Sequence, residues 1–261
     1  MKTSNHLLRR LTAALLAAVL ALSIALPVFA SDDGDTIYIN SVSDLLSLAK
    51  SCAYDQWSVG KTVILQKDLS LEGMLWEPIP SFSGQFKGNG HTISDLTITG
   101  QYSPAGLFGI VEEQGSIESL SVRGIVSVSD SADTTTGGIV GINHGTLINC
   151  QFTGVVTGDS EVGGIVGRNE SEGTIDHSTA RAIVTGKSST GGIAGYNLGA
   201  ITGCTNVGSI NTEYQEASLD TDGFTAKMVD QINNKIAAAD DDATNSVTNV
   251  ATDTGGIAGR S

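Results

Sequence analysis

Gly163-Gly164-Ile165-Val166-Gly167-Arg168-Asn169 is the stretch from which the rest of the chain becomes readable. The same glycine strand stands at Gly137-Gly138-Ile139-Val140-Gly141 with Asn143, and at Gly191-Gly192-Ile193-Ala194-Gly195 with Asn197. It returns at Gly255-Gly256-Ile257-Ala258-Gly259, and in variant form at Gly106-Leu107-Phe108-Gly109. Aligned starts, taking the variant from Ala105, are separated by 32, 26, 28 and 64 residues. Repetition at such periods is the signature of a stacked architecture. A second column of residues runs between the glycine strands. It comprises Ile117 and Leu120, Leu147 and Cys150, Ile175 and Ser178, Ile201 and Cys204, and one turn earlier Ile93 and Leu96.

Within these units apolar residues alternate with a period of 2 and β-branched residues are common, which predicts strands. A unit of 24 to 30 residues with two or three short strands cannot bury its apolar side alone. Stacking places each inward side chain about 4.8 Å from an equivalent neighbour and solves that problem. The expected fold is therefore an all-β, right-handed parallel β-helix. Its glycines mark corners and close coil-to-coil approaches. Asn143, Asn169 and Asn197 recur two places after the glycine strand, as a column bonded from turn to turn would require; a ligand-binding row is the alternative.

Composition agrees. The chain has 261 residues, of which 32 are Gly, with only 5% aromatic and 16% charged residues. So much Gly argues against a helical bundle, since each costs a helix interior about 1 kcal/mol relative to Ala. Residues 1–30 carry Lys2, Arg9 and Arg10 before the apolar run Leu11–Phe29, and close on Val28-Phe29-Ala30. This is the pattern of a cleaved secretory leader; an uncleaved membrane anchor is the rival reading, since a run of this length could just span a bilayer. Without it 11 basic residues face 28 acidic ones, a net charge of −17. Such a field excludes nucleic acid as a partner. After cleavage no segment is long and apolar enough to span a membrane, so the product is secreted or displayed at the cell surface.

The boundaries follow. After the leader, residues 31–62 form an N-terminal cap with a short helix, Ser43 serving as its N-cap before Asp44, and the first rung begins at Val63. The β-helix occupies 63–211. Residues 212–254 interrupt it, and Phe224, Met228, Ile232 and Ile236 at i, i+4 spacing predict an amphipathic helix lying along the solenoid. Residues 255–261 begin a further repeat, which reads as the truncated start of a longer protein. Trp76, Ile79, Phe82 and Phe86 are expected in core or cap packing. Cys150 and Cys204 fall two rungs apart, roughly 9–10 Å, too far for the 3.5–4.5 Å between Cβ atoms that a disulfide needs. They are expected to be buried, inert thiols, whereas Cys52 lies outside the column as a candidate exposed thiol.

The quoted strands resemble the GLUG motif of bacterial exported, adhesin-like proteins. The run Phe82-Ser83-Gly84-Gln85-Phe86-Lys87-Gly88-Asn89-Gly90-His91-Thr92-Ile93 resembles the lead-in of such β-helices, with Lys87 where Asp is usual. The likeness extends over about Ile37 to Asn211 and resumes at Gly255. GLUG repeats also accompany the catalytic part of some immunoglobulin-A-cleaving metallopeptidases, but this chain contains no HExxH. The resemblance implies a non-catalytic surface or secreted module, either a stalk or an adhesive, ligand-binding solenoid. Its partners would be a host or glycan ligand, or a downstream part of a longer protein. No catalytic, cofactor or metal site is expected. The alternative is a β-helix lyase or glycoside hydrolase acting on acidic polysaccharides, for which Asp95, His91, Glu112, Glu113, Asp176 and His177 are the available groups.

Overall fold

Alternating inward and outward side chains along very short strands leave the chain only one way to bury its apolar half, which is to coil. The computed structural model describes residues 35–54, 56–128, 134–211 and 254–260. Its strands form four all-parallel sheets, which we call faces A to D. Face A stacks Thr36–Ile39, Thr62–Leu65, Gln85–Lys87, Ser116–Glu118, Thr146–Ile148, Thr174–Asp176 and Ala200–Thr202. Face B carries the longest strands, Thr92–Gly100, Ser121–Val128, Gln151–Thr157 and Thr179–Thr185. A full coil runs A, B, D, C. Face D stacks Thr135–Gly137, Glu161–Gly163, Thr190–Gly191 and Thr254–Gly255, and face C stacks six strands from Ile79–Phe82 to Ala258–Arg260. The architecture is a parallel β-solenoid.

Rows of equivalent residues make the core. On face A one row reads Ile37, Val63, Phe86, Ile117, Leu147, Ile175 and Ile201. On face C it reads Ile79, Phe108, Val140, Val166, Ala194 and Ala258. Large side chains crowd the early coils, where Phe82, Phe86 and Phe108 meet with ring centroids 5.4 to 6.3 Å apart. Trp76 is buried beside them and donates from Nε1 to the carbonyl of Leu107 at 3.1 Å. That bond satisfies the indole N–H, which burial otherwise leaves without water.

The first rung begins earlier than Val63. Thr36–Ile39 pairs in parallel with Thr62–Leu65, so a strand precedes the cap. Helix α1 (Val42–Ser51) follows, burying Leu45 and Leu48. Its N-cap is Ser41 and not Ser43: Ser41 Oγ accepts from the Asp44 N–H at 3.2 Å, while Asp44 Oδ2 accepts from the Asn40 N–H at 2.9 Å. The serine three residues before Asp44 can close this reciprocal pair, and the adjacent one cannot. The Asn40 N–H, and after it the Ser41 hydroxyl, hold the Asp44 carboxyl below its ordinary range.

The coil containing Ile93 and Leu96 is out of step with the later column. Ile93 pairs with Val122 and Leu96 with Gly124 on face B, whereas the face A partner of Ile117 is Phe86. A bulge between Ile93 and Leu96, with Asp95 at φ 60°, then shifts the register by one further residue. The leader of residues 1–30 and the expected helix between residues 212 and 254 lie outside the described residues.

Candidate functional site

The recurring positions of the sequence come together as rows. Gly137, Gly163, Gly191 and Gly255 are in register on face D, and Gly138, Gly164, Gly192 and Gly256 follow them at the corner to face C. Gly141, Gly167, Gly195 and Gly259 lie on face C, with Gly109 in the coil before them; Gly106 precedes the Phe108 strand. Asn143 Nδ2 donates to Asn169 Oδ1 at 2.7 Å, and Asn169 Nδ2 donates to Asn197 Oδ1 at 2.8 Å. Asn143 and Asn169 are fully buried. Their amides also close the next turn, through Asn143 to Gly145 and Asn169 to Gly173. These amides link the coils of the stack.

The second column joins faces A and B. Leu120 is buried one rung before Cys150, and Cys150 N–H donates to Ser178 Oγ at 3.1 Å. Ser178 N–H approaches Cys204 Sγ at 3.4 Å. All three cysteines are free. Two expectations need correction. Cys52 is buried, 3% exposed, because it caps α1 against the first coils, and Cys204 is only half-buried because it lies on the last described rung of this column. Burial pushes the Cys52 thiol up to about 11 and the Cys150 thiol up to about 12, and raises that of Cys204.

A raised thiol pKa favours the neutral, folded form. This contribution to stability is fully present below the ordinary value of 9.0 and is lost as pH rises through about 11 and about 12. A thiol-reactive disulfide at pH 8 should therefore modify Cys204 first. Cys52 should react about a hundredfold and Cys150 about a thousandfold more slowly than an unfolded control, since the thiolate is the nucleophile. Rapid labelling of all three sites in the folded protein would contradict this packing.

A column unforeseen in the sequence sits beside the cysteines. Ser119, Asn149, His177 and Gly203 each precede a column residue and have φ of 54°, 52°, 45° and 62°. Their N–H groups or carbonyls link coil to coil, as in Ser119 to Ile148 and Asn149 to Asp176. Asn and His enter this left-handed region more readily than most residues and Gly enters freely, which is the shared signal.

The groups available for catalysis stand at different places on the surface: His91 at the corner before face B and Asp95 on its strand, Glu112 and Glu113 after face C, and Asp176 and His177 on a later coil. His91 Nδ1 lies 3.1 Å from Asp68 Oδ1, not beside Asp95. Asp95 Oδ2 accepts from Ser70 Oγ at 2.6 Å and from Ser94 Oγ at 2.8 Å. The Asp68 carboxyl is lowered, first by the Thr92 N–H and then by His91. Glu112 Oε1 accepts from Ser81 Oγ at 2.7 Å and, with Glu113, lines a shallow groove of about 440 Å³. Asp176 and His177 pair at 2.8 Å. They stand three rungs, roughly 14 Å, beyond the Lys87 row position. Among the described residues no three His, Cys, Asp or Glu side chains group to hold a metal. No described helix is long and apolar enough to cross a membrane.

An ionic cluster lies on faces C and D. Arg168 Nε donates to Glu161 Oε2 at 2.6 Å while its Nη2 bonds the other carboxylate oxygen, and Glu170 stands 3.5 Å from Nη1. The guanidinium also lies 5.2 Å from the Tyr196 ring centre, and Glu161 chiefly raises its pKa. The cluster ties neighbouring strands together.

Repeated glycine strands, an internal amide ladder and four parallel faces define a parallel β-solenoid of short repeats. The GLUG motif itself matches residues 158–185, the coil that contains Gly163–Asn169. Halomucin of Haloquadratum walsbyi is 32% identical over 155 residues, covering 54% of this chain and 2% of that protein. The "Putative Gly-rich membrane protein" of Evansella cellulosilytica is 29% identical over 137 residues, covering 38% of this chain and 16% of its own length. The chain thus spans a small part of both relatives. A crystal structure described as "a putative immunoglobulin A1 protease from Bacteroides ovatus" superposes with a TM-score of 0.43 at 17% identity, covering 78% of this chain and 86% of that one.

Proposed function

We propose that the chain is an exported, non-catalytic module, a stalk or adhesive solenoid that presents its outer faces to a host or glycan ligand or carries a further part of a longer protein. The observation behind this reading is the unbroken seven-strand register of face A, from Thr36 to Thr202. A stack whose every rung is bonded to the next is stiff along its axis and repeats its outward chemistry every 4.8 Å or so. The basic, then apolar, leader supports export. His91, Asp95, Glu112 and Asp176 each engage a different partner, Asp68, Ser70, Ser81 and His177; this supports a binding role over hydrolysis or elimination, which need paired groups.

The test uses the secreted protein. Its N-terminus should be Ser31, and incubation with acidic glycans should yield retention on an immobilised glycan or none, with no change to the glycan. New unsaturated or reducing ends above a mock preparation would overturn the non-catalytic reading in favour of a β-helix enzyme.

A further inference from the structure

The corner between faces C and A alternates in length from coil to coil. Two residues join Phe82 to Gln85, four join Val111 to Ser116, two join Asn143 to Thr146, and four join Asn169 to Thr174. The backbones stay stacked at these corners. The Glu112 N–H donates to the Phe82 carbonyl at 2.9 Å, and the His144 N–H to that of Val111 at 2.8 Å. Extra residues can therefore only project outward, so the long corners stand as ridges over the short ones. The turn before Thr62 supplies a further ridge, held to the next corner by the Ser83 N–H, which donates to Ser58 Oγ at 2.8 Å. Between this ridge and that of Glu112–Gln114 the short corner leaves a groove of about 440 Å³, within the roughly 300–1,000 Å³ of small-molecule sites. Its walls are two rungs, roughly 10 Å, apart.

Every side chain lining the groove except Val59 offers hydrogen bonds, and none is basic. Ser81 and Ser83 lie on the short corner, half-buried, and Gln56 stands exposed on one wall. On the other, Glu113 and Gln114 are exposed, and half-buried Glu112 accepts from Ser81 Oγ through Oε1 alone, at 2.7 Å. Hydroxyls and carboxamides that donate and accept, beside carboxylates that only accept, suit a ligand made of hydroxyl groups. Bonds to the carboxylates are the stronger kind. Val59, 43% exposed, and Tyr54, 75% exposed two residues before Gln56, add apolar surface for the C–H face of a sugar. A uronate or a sulfate would meet two carboxylates, no basic group and the field of an acidic protein. We propose that this groove is the ligand site of the chain, taking one ring of a neutral or amine-bearing saccharide and rejecting acidic ones. Such a site rests on the adhesive reading above and narrows it to one corner of the solenoid and one class of glycan.

The test is an oligosaccharide array probed with the full secreted chain in the presence of a chelator. The array carries glucosamine oligomers, hexose and N-acetylhexosamine oligomers, and oligouronates. Retention is expected on amine-bearing or neutral oligomers and not on oligouronates. Stronger retention by the amine would show that Glu113 meets an ammonium, and equal retention that it meets hydroxyls. Glu113→Lys, at an exposed position, should weaken retention about tenfold or more, the scale of one charge-assisted hydrogen bond. Gln56→Gly clears the opposite wall at a φ of 61° that Gly accepts freely, and should weaken retention at least about threefold. Both variants should melt with the wild type, and either one, once folded, reads the groove by itself. Preference for oligouronates, retention only with added calcium, or unchanged retention by a folded variant would overturn the groove as the site and leave an adhesive module standing. Absence of retention on every oligomer would overturn it as well and leave a stalk. New reducing or unsaturated ends on any oligomer would overturn the non-catalytic reading itself, and this site with it.

Discussion

Gly164→Val should prevent secretion of folded protein. A Cβ built at Gly164 would press on the Gly192 carbonyl of the next coil and stand 2.9 Å from the Ala180 Cβ. The first obstacle is backbone, fixed by the same stacking that creates the contact, and cannot swing aside as a side-chain tip could. Gly138 is held against Gly164 in the same way from the coil before, so displacement would spread along the row. Overpacking ordinarily costs 1–3 kcal/mol, and an immobile backbone neighbour puts this site at about 4 kcal/mol. At 2–4 °C per kcal/mol, the midpoint of any material recovered should fall by about 10 °C or more. Gly192→Val should act similarly against Gly256, softened because its other close neighbour is the Asn206 side chain. The check is the amount of trypsin-resistant protein in the medium and its melting temperature. Wild-type secretion and stability for Gly164→Val would show that the coils are not as close as the register makes them.

Asn169→Leu should be the most damaging single change in the amide ladder. It removes the acceptor for Asn143 Nδ2, the donor to Asn197 Oδ1 and the bond to the Gly173 carbonyl, all in a buried site. A buried polar group left unpaired costs 1–3 kcal/mol. Asn143 keeps its bond to Gly145, so the total loss should be about 3 kcal/mol and the melting temperature should drop by about 6–12 °C. Asn197→Leu, at the half-buried end of the ladder, breaks one link and should cost about 1 kcal/mol. Thermal melts of the two variants side by side check both the size and the order. Equal, small losses would show that the amides are hydrated and not linked into a ladder.

The solenoid was legible because its energetics repeat. Val140, Val166 and Ala194 must each meet the same neighbour one coil away, so the packing problem writes itself into the chain at a near-constant period. The asparagine spacing was legible for the same reason. What failed to show was local. Ile93 looks like another member of the column, but it lies on face B opposite Val122 while Phe86 takes the face A place, and its apolar spacing carries no mark of which face it joins. Ser41 and Ser43 differ as caps only through where Asp44 can reach. Cys52 lies outside every repeat, so periodicity says nothing of its burial under α1. The left-handed corner of Ser119, Asn149, His177 and Gly203 escaped notice because unlike side chains share a backbone requirement and not a chemistry.

The central claim, one coil per rung in continuous register, is tested most directly by distances between spin labels on face A. Thr36, Gln85 and Ala200 occupy one row, with Ala200 four rungs from Gln85 and six from Thr36. At about 4.8 Å per rung, the backbone separations should be roughly 19 and 29 Å, after allowance for label length. Separations that grow in proportion to rung number would establish the stack. A Thr36–Ala200 distance no longer than Gln85–Ala200 would contradict it, since only a sheet folded back on itself could bring those ends together.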